Sequence, residues 1–275
     1  MLNNPADGPI GVFDSGFGGL TVVQAIWRHL PLEHVLYVGD TARVPYGGRE
    51  PKEIRSFNRE ILRFLVQEGC KLVVFACNTS SALAFAEMER EFDLPMVEVI
   101  TPGAKAAAAA SRNGRIGLWA TEATVRSGAY ARAVKAQRPD AEIVQVACPR
   151  LVPLIEGGRA ASPDVQEAVQ EYAGPIRRAG VDTLILGCTH YPFLAPFIRE
   201  ALGDGVALVN PAEETARRTG EVLRLSGLSA THRQDDRFCT SGDAEVFQNL
   251  GSVLAGRPLA QVEQVAFSSQ LGVTG

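Results

Sequence analysis

The sequence contains no apolar run approaching the roughly 18 residues that a membrane-spanning helix needs. It has no excess of positive charge: 27 Lys and Arg stand against 31 Asp and Glu, a net charge of -4. Recognition of a phosphate backbone needs a basic footprint, so this balance argues against a nucleic-acid partner. There is no CxxC pair, and the five cysteines (Cys70, Cys77, Cys148, Cys188 and Cys239) are odd in number and widely spaced. That pattern speaks against a disulfide framework or a zinc ribbon and points to reduced thiols in the cytoplasm. The opening residues, Met1-Leu2-Asn3-Asn4-Pro5-Ala6-Asp7-Gly8, lack a basic segment followed by an apolar core, so no signal peptide is expected.

What is present fits a soluble globular chain: 46% hydrophobic and 21% charged residues, over a length that allows one large domain or two ordinary ones. Short apolar, β-rich runs at 10–13, 35–38, 72–76, 96–100, 116–119, 143–147, 184–186 and 207–209 predict buried strands. Between them lie helical segments at 20–29, 52–67, 81–91, 102–110, 124–136, 163–179 and 195–202. Within 52–67, Ile54, Phe57, Ile61, Phe64 and Leu65 share one helix face. This alternation predicts an α/β fold with mainly parallel sheets flanked by helices. An alanine-rich stretch at 101–110 suggests a tightly packed helix with a domain boundary just before it, near 97–100, and a second boundary falls near Asn210-Pro211. Beyond that, a helix at 213–225, a polar stretch around 231–236 and two shorter elements are expected.

Two strand-ending cysteines carry the chemistry. Leu72-Val73-Val74-Phe75-Ala76 runs into Cys77-Asn78-Thr79, and Thr183-Leu184-Ile185-Leu186-Gly187 runs into Cys188-Thr189-His190. Ligands of parallel α/β sheets bind at the carboxyl ends of strands, so the repeated motif predicts two half-sites facing one cleft. Opposed thiols suit a reaction that handles a proton on both faces of one carbon. Asp14-Ser15-Gly16-Phe17-Gly18-Gly19 follows the first strand but matches no phosphate-loop pattern. Asp14 could hold an ammonium group, orient an acid/base residue, or simply cap a helix. Asn78 and Thr79 open a helix and could bind a carboxylate or serve as ordinary caps; Thr189 has the same two options. His190 could raise the thiolate fraction of Cys188 or be inert. Cys77, Cys188 and His190 could hold zinc, but no fourth ligand stands at a recognisable spacing. Glu156, behind an expected apolar loop at 151–155, could tune His190 or lie at the surface. Cys70, Cys148 and Cys239 lack the polar turn and are expected to be structural.

Taken together, Gly11-Val12-Phe13-Asp14-Ser15-Gly16-Phe17-Gly18-Gly19, Asp40 with Pro45-Tyr46-Gly47, Ala76-Cys77-Asn78-Thr79 and Gly187-Cys188-Thr189-His190-Tyr191-Pro192 resemble the glutamate racemase family, in order and in spread. A shorter match runs from Ala120 to Tyr130, with Ala120 where the family often has Gly. The resemblance implies two pseudo-symmetric α/β lobes, residues 1–97 with 211–275 and residues 98–210, with the active site in the cleft between them. It implies cofactor-independent racemisation of L-glutamate to D-glutamate, without metal, feeding peptidoglycan synthesis and cell shape from the cytoplasm. It also implies Cys77 and Cys188 as acid/base thiols, assisted by Asp14 and His190 respectively. Asp14, Ser15, Tyr46, Gly47, Asn78, Thr79, Thr189 and His190 would line the substrate site, with Thr121 beside them and Glu156 as a further candidate. Its partner would be the small-molecule substrate, with neither nucleic acid nor membrane, and the resemblance leaves room for a homodimer. An aspartate racemase or a decarboxylase of substituted malonates from the same superfamily, or a two-lobed binding protein for an acidic ligand, are the rival expectations.

Overall fold

The computed structural model describes residues 5–259 and 261–267; the outer ends of the expected first lobe, at 1–4 and 268–275, fall outside the described residues. Its strands are β1 (Ile10–Asp14), β2 (Val35–Gly39), β3 (Leu72–Phe75), β4 (Met96–Glu98), β5 (Arg115–Ala120), β6 (Glu142–Ala147), β7 (Thr183–Gly187), β8 (Ala207–Val209), β9 (Arg237–Thr240) and β10 (Val262–Gln264). They form two sheets, in the orders β10-β9-β2-β1-β3-β4 and β6-β5-β7-β8, and every pairing is parallel. The order β2-β1-β3-β4 in the first sheet is the order β6-β5-β7-β8 in the second. The chain has therefore built the same half twice, which accounts for the repeated strand-cysteine motif: β3 and β7 occupy equivalent places.

The helices are α1 (Leu20–His29), α2 (Pro51–Gln67), α3 (Asn78–Leu83), α4 (Phe85–Glu91), α5 (Ile100–Ala110) and α6 (Glu122–Ser127), then α7 (Ala129–Gln137), α8 (Leu151–Glu156), α9 (Pro163–Arg178), α10 (Ala195–Leu202), α11 (Pro211–Leu225) and α12 (Ala244–Ala255). Alternate residues of each strand point to opposite faces. Ile10, Val12 and Val74 join Leu118 and Ile185 in one apolar core, bridged by Ile100, Ala104 and Ala107 of α5 and Ala212 and Ala216 of α11. Phe13, Val73 and Phe75 face a second core with Ile54, Ile61 and Leu65 of α2. Trp119, Leu184 and Leu186 face a third, with helices α8 to α10. The alanine-rich α5 thus packs against α7, α11 and β7, joining the lobes through small side chains.

Several elements differ from expectation. The strand expected over 96–100 stops at Glu98, because its carboxylate accepts the backbone N–H groups of Ile100 and Thr101 (2.8 Å for Thr101) and so starts α5 two residues before the expected 102. The helix expected over 81–91 begins at Asn78 and breaks at Ala84, giving α3 and α4. The one expected over 124–136 is α6 and α7, divided at Gly128, whose φ of 63° is left-handed and free of strain only for glycine. Residues 151–156 are not a loop but α8. Among the described residues, three elements follow α11 rather than two, β9, α12 and β10, and the strands extend the first sheet beyond β2.

Where α5 crosses α11, a Cβ on Gly103 would lie 2.9 Å from the Pro211 ring. Gly103→Val is expected to cost about 1–3 kcal/mol by overpacking, read as a lower urea midpoint with an unchanged slope; an unmoved midpoint would show that this helix crossing has slack.

Candidate active site

In each sheet the central strand sends its successive connections to opposite sides. β1 is flanked by β2 and β3, and β5 by β6 and β7. Such switch points open a crevice at the carboxyl ends of the strands, and here the two crevices face each other. Between them lies a cavity of about 200 Å³. The first lobe contributes Ser15, Pro45, Tyr46, Gly47, Gly48, Cys77, Asn78 and Thr79 to its wall. The second contributes Thr121, Glu122, Cys148, Pro149, Val152, Pro153, Cys188, Thr189 and His190.

The loop after β1 meets the second lobe without side chains in the way. A Cβ on Gly16 would lie 2.3 Å from Glu156 Oε1, and one on Gly18 would lie 2.3 Å from Thr189 Oγ1 and 2.7 Å from His190 Nδ1. Across the cavity, a Cβ on Gly47 would come within 2.8 Å of Thr121 Cβ. The Tyr37 hydroxyl donates to the Gly16 carbonyl at 2.7 Å and holds this loop down. Hydroxyls close the other side: Thr79 Oγ1 lies 3.0 Å from Thr121 Oγ1 and 3.4 Å from Thr124 Oγ1.

Cys77 Sγ is 3.9 Å from Ser15 Oγ. Burial, reinforced by the nearby Asp14 carboxylate, pushes its thiol up to about 12, with Ser80 working against the rise. Cys188 Sγ is 3.7 Å from His190 Nδ1, and the other ring nitrogen, Nε2, is 2.5 Å from Glu156 Oε1. Burial works to lower the His190 pKa, but its hydrogen bonds to Cys188 and Glu156 prevail and raise it well above the ordinary value. Tyr130 donates to Asn78 Oδ1 at 2.6 Å, which leaves the Asn78 amide N–H groups as the donors available to a ligand. The Tyr46 hydroxyl donates to Asp40, whose carboxylate also takes Arg43 Nε at 2.7 Å and the Ser241 hydroxyl at 2.7 Å.

Of the residues singled out from sequence, Ser15, Tyr46, Gly47, Cys77, Asn78, Thr79, Thr121, Cys188, Thr189 and His190 all reach the cavity wall. Asp14 does not. It is fully buried behind the wall, its Oδ2 accepting the Gly16 N–H at 3.2 Å and its Oδ1 accepting the Thr189 hydroxyl at 3.2 Å. Burial raises its pKa, with His190 working against that rise. Glu156 also stands behind the wall and reaches the cavity through His190. Cys148, expected to be structural, is on the wall, as are Pro149, Val152 and Pro153. Its signal in the sequence was its place just past the end of β6, at the same level as Cys188 past β7. Among the described residues, no group of three or more His, Cys, Asp or Glu side chains is arranged to hold a metal ion.

Residues 11–219 match the Asp/Glu/hydantoin racemase family. A glutamate racemase from Desulforudis audaxviator is 45% identical over 268 residues, covering 94% of this chain and 98% of the relative. A glutamate racemase isoform from Bacillus anthracis superposes with a TM-score of 0.91 at 36% identity, covering 95% of this chain and 98% of that one. The glutamate racemase of Francisella tularensis, solved with D-glutamate, superposes with a TM-score of 0.89 at 32% identity, over 96% of this chain and 99% of that one.

The His190–Glu156 pair gives a pH test. A histidine whose folded pKa is raised contributes stability in full below about pH 6.5, its unfolded value, and loses it as pH rises through the folded value. Glu156→Gln is expected to move the imidazole titration of His190 to lower pH, followed by nitrogen-resolved NMR, and to flatten the stability loss above neutrality. An unchanged midpoint would mean that Glu156 does not hold the charge.

Proposed function

The chain belongs to the Asp/Glu/hydantoin racemase family, and from that membership we propose that it interconverts L- and D-glutamate by proton transfer between two thiols. The observation that carries this is the pair Cys77 and Cys188, one past each of the equivalent strands β3 and β7, both on the wall of a single cavity between the lobes. The glutamate specificity is supported by relatives at 41–46% identity that are named glutamate racemases.

In each turnover one sulfur is a thiolate and the other a thiol. The thiolate takes the α-hydrogen as a proton, the C–H electron pair remains on the α-carbon, and the opposite thiol returns a proton to the other face. The proton count is unchanged and the two sulfurs exchange states, so they titrate as a coupled pair. A thiolate is far too weak to do this unaided. Holding sulfur and substrate in register can supply up to about 7–11 kcal/mol. Donors aimed at the carboxylate where charge develops add about 3–4 kcal/mol each in comparable sites. Asn78, Thr79, Thr121 and Thr189 are suited to that task, with Ser15, Tyr46 and Gly47 completing the wall. His190, kept cationic by Glu156, steadies the Cys188 thiolate and is the assistant of that face. Asp14 acts on Cys77 from behind the wall, and when the substrate ammonium enters, its charge offsets the burial that keeps Cys77 protonated. By the family resemblance Cys188 serves L-glutamate and Cys77 serves D-glutamate. Supply of D-glutamate for peptidoglycan in the cytoplasm, by a homodimer, belongs to the same proposal; five free, buried thiols fit a reducing compartment.

Incubation with L-glutamate in D₂O, without added cofactor and after dialysis against EDTA, is expected to give loss of optical rotation together with exchange of the α-proton. Binding without exchange would identify a ligand-binding protein instead, and activity lost to EDTA but restored by zinc would overturn the two-thiol chemistry.

Cys77→Ser and Cys188→Ser are each expected to lower racemisation by more than a thousandfold, because both faces need a thiol. Each should retain elimination of HCl from one enantiomer of a β-chlorinated glutamate analogue, Cys188→Ser from the D-form and Cys77→Ser from the L-form. The same enantiomer preference in both variants would sink the two-base mechanism.

A further inference from the structure

Asn78 opens α3 in the first lobe and lies almost fully buried at the cavity wall. A buried amide can present either its oxygen or its nitrogen to a ligand, because a half-turn about the last side-chain bond exchanges the two at little steric cost. The end that faces the cavity decides whether Asn78 meets a carboxylate as a donor or as a second acceptor. Among the described residues its side chain makes a single hydrogen bond, accepted by Oδ1 from the Tyr130 hydroxyl at 2.6 Å. Tyr130 belongs to α7 of the second lobe and is fully buried in the apolar core shared with α5 and α11. A Cβ on Gly103 of α5 would stand 3.4 Å from its hydroxyl. A phenylalanine would fill this apolar position with no polar atom to satisfy, so the hydroxyl calls for a reason beyond packing.

The phenol proton needs an acceptor, and Asn78 Oδ1 is that acceptor. With the amide turned round, Nδ2 would face the hydroxyl oxygen and the phenol proton would be left unpaired in an apolar core, at the full desolvation cost. Asn78 Nδ2 bonds no described residue, yet it is not sealed away as a buried unpaired atom, which places it at the open face of the wall. We propose that Tyr130 is a positioning residue acting across the lobe boundary: it locks the Asn78 amide with its N–H groups toward the cavity, so the first lobe's donor for a carboxylate is set only when the second lobe is in place. Burial holds the phenol well above its ordinary pKa, so it remains a donor through neutral and mildly alkaline pH. The assignment rests on the reading of Asn78 as a carboxylate donor given above, but the locking itself can be tested without a ligand.

Relaxation of the Asn78 side-chain ¹⁵N nucleus, in the ligand-free protein, reads how firmly the amide is held. Tyr130→Phe is expected to lower its order parameter from about 0.8 to below about 0.6, while the backbone amides of α3 stay rigid. An unchanged side-chain value overturns the proposal whatever the protein binds. Calorimetric titration with D-glutamate then reads the consequence. Tyr130→Phe is expected to weaken binding roughly tenfold. Added to Asn78→Ala, it should change Kd by no more than about twofold, because the group it positions is gone. An equal loss in both backgrounds would mark a general packing effect and overturn the proposal as well. Should Tyr130→Phe fail to fold, Asn78→Asp keeps an acceptor for the tyrosine and removes the donor facing the cavity. D-glutamate binding is then expected to be lost in a stable protein, and binding at the original strength would show that the end facing the cavity is not the donor. A loosened amide in a protein that binds no glutamate would leave Tyr130 in its role and remove the glutamate reading.

Discussion

The loop that follows β1 can lie against the second lobe only where its backbone carries no side chain. Gly16 and Gly18 leave room for Glu156, Thr189 and His190, and Gly47 leaves room for Thr121 on the other side of the cavity. The Thr189 hydroxyl on Asp14 and the Thr79 hydroxyl among Thr121 and Thr124 are made where the lobes approach in this way. Methyl groups at Gly18 and Gly47 would lie under 3 Å from Thr189, His190 and Thr121, so those side chains would have to shift. The apolar core through α5 and α11 fixes the same relationship from behind.

Within that frame, duplication supplies the geometry and divergence supplies the chemistry. The halves share a strand order, which brings two thiols to one cavity. Their surroundings do not match. Burial and Asp14 push the Cys77 thiol up, with Ser80 working against them. Cys188 stands beside an imidazole whose charge Glu156 supports. The proposed two-thiol reaction needs sulfurs of comparable acidity in the working complex, and unlike neighbours can reach that balance because burial and charge act in opposite senses on a thiol.

Much of this was legible before any coordinates. Continuous apolar runs such as Leu72–Phe75 and Thr183–Gly187 mark strands covered on both faces, and the residues just beyond them are where such folds place their ligands. Local breaks were harder. The division of 78–91 at Ala84, and the helix at 151–156 in place of a loop, depend on packing against neighbours that have no local periodicity to announce them.

The sequence alone determined the parallel α/β class and the placing of Cys77 and Cys188 past equivalent strand ends, because apolar period and strand-end position are short-range properties of the chain; wall residues such as Tyr46, Gly47 and Thr121 were named only through the family resemblance. Tertiary structure was needed to decide which buried groups stand behind that wall. Asp14 beneath Thr189, Glu156 against His190 and the arrival of Cys148 at the cavity all join residues that are distant in the chain or on different elements. A hydrogen bond is set by distances of about 3 Å and by direction, and no spacing along a chain encodes either until the strands have chosen their neighbours.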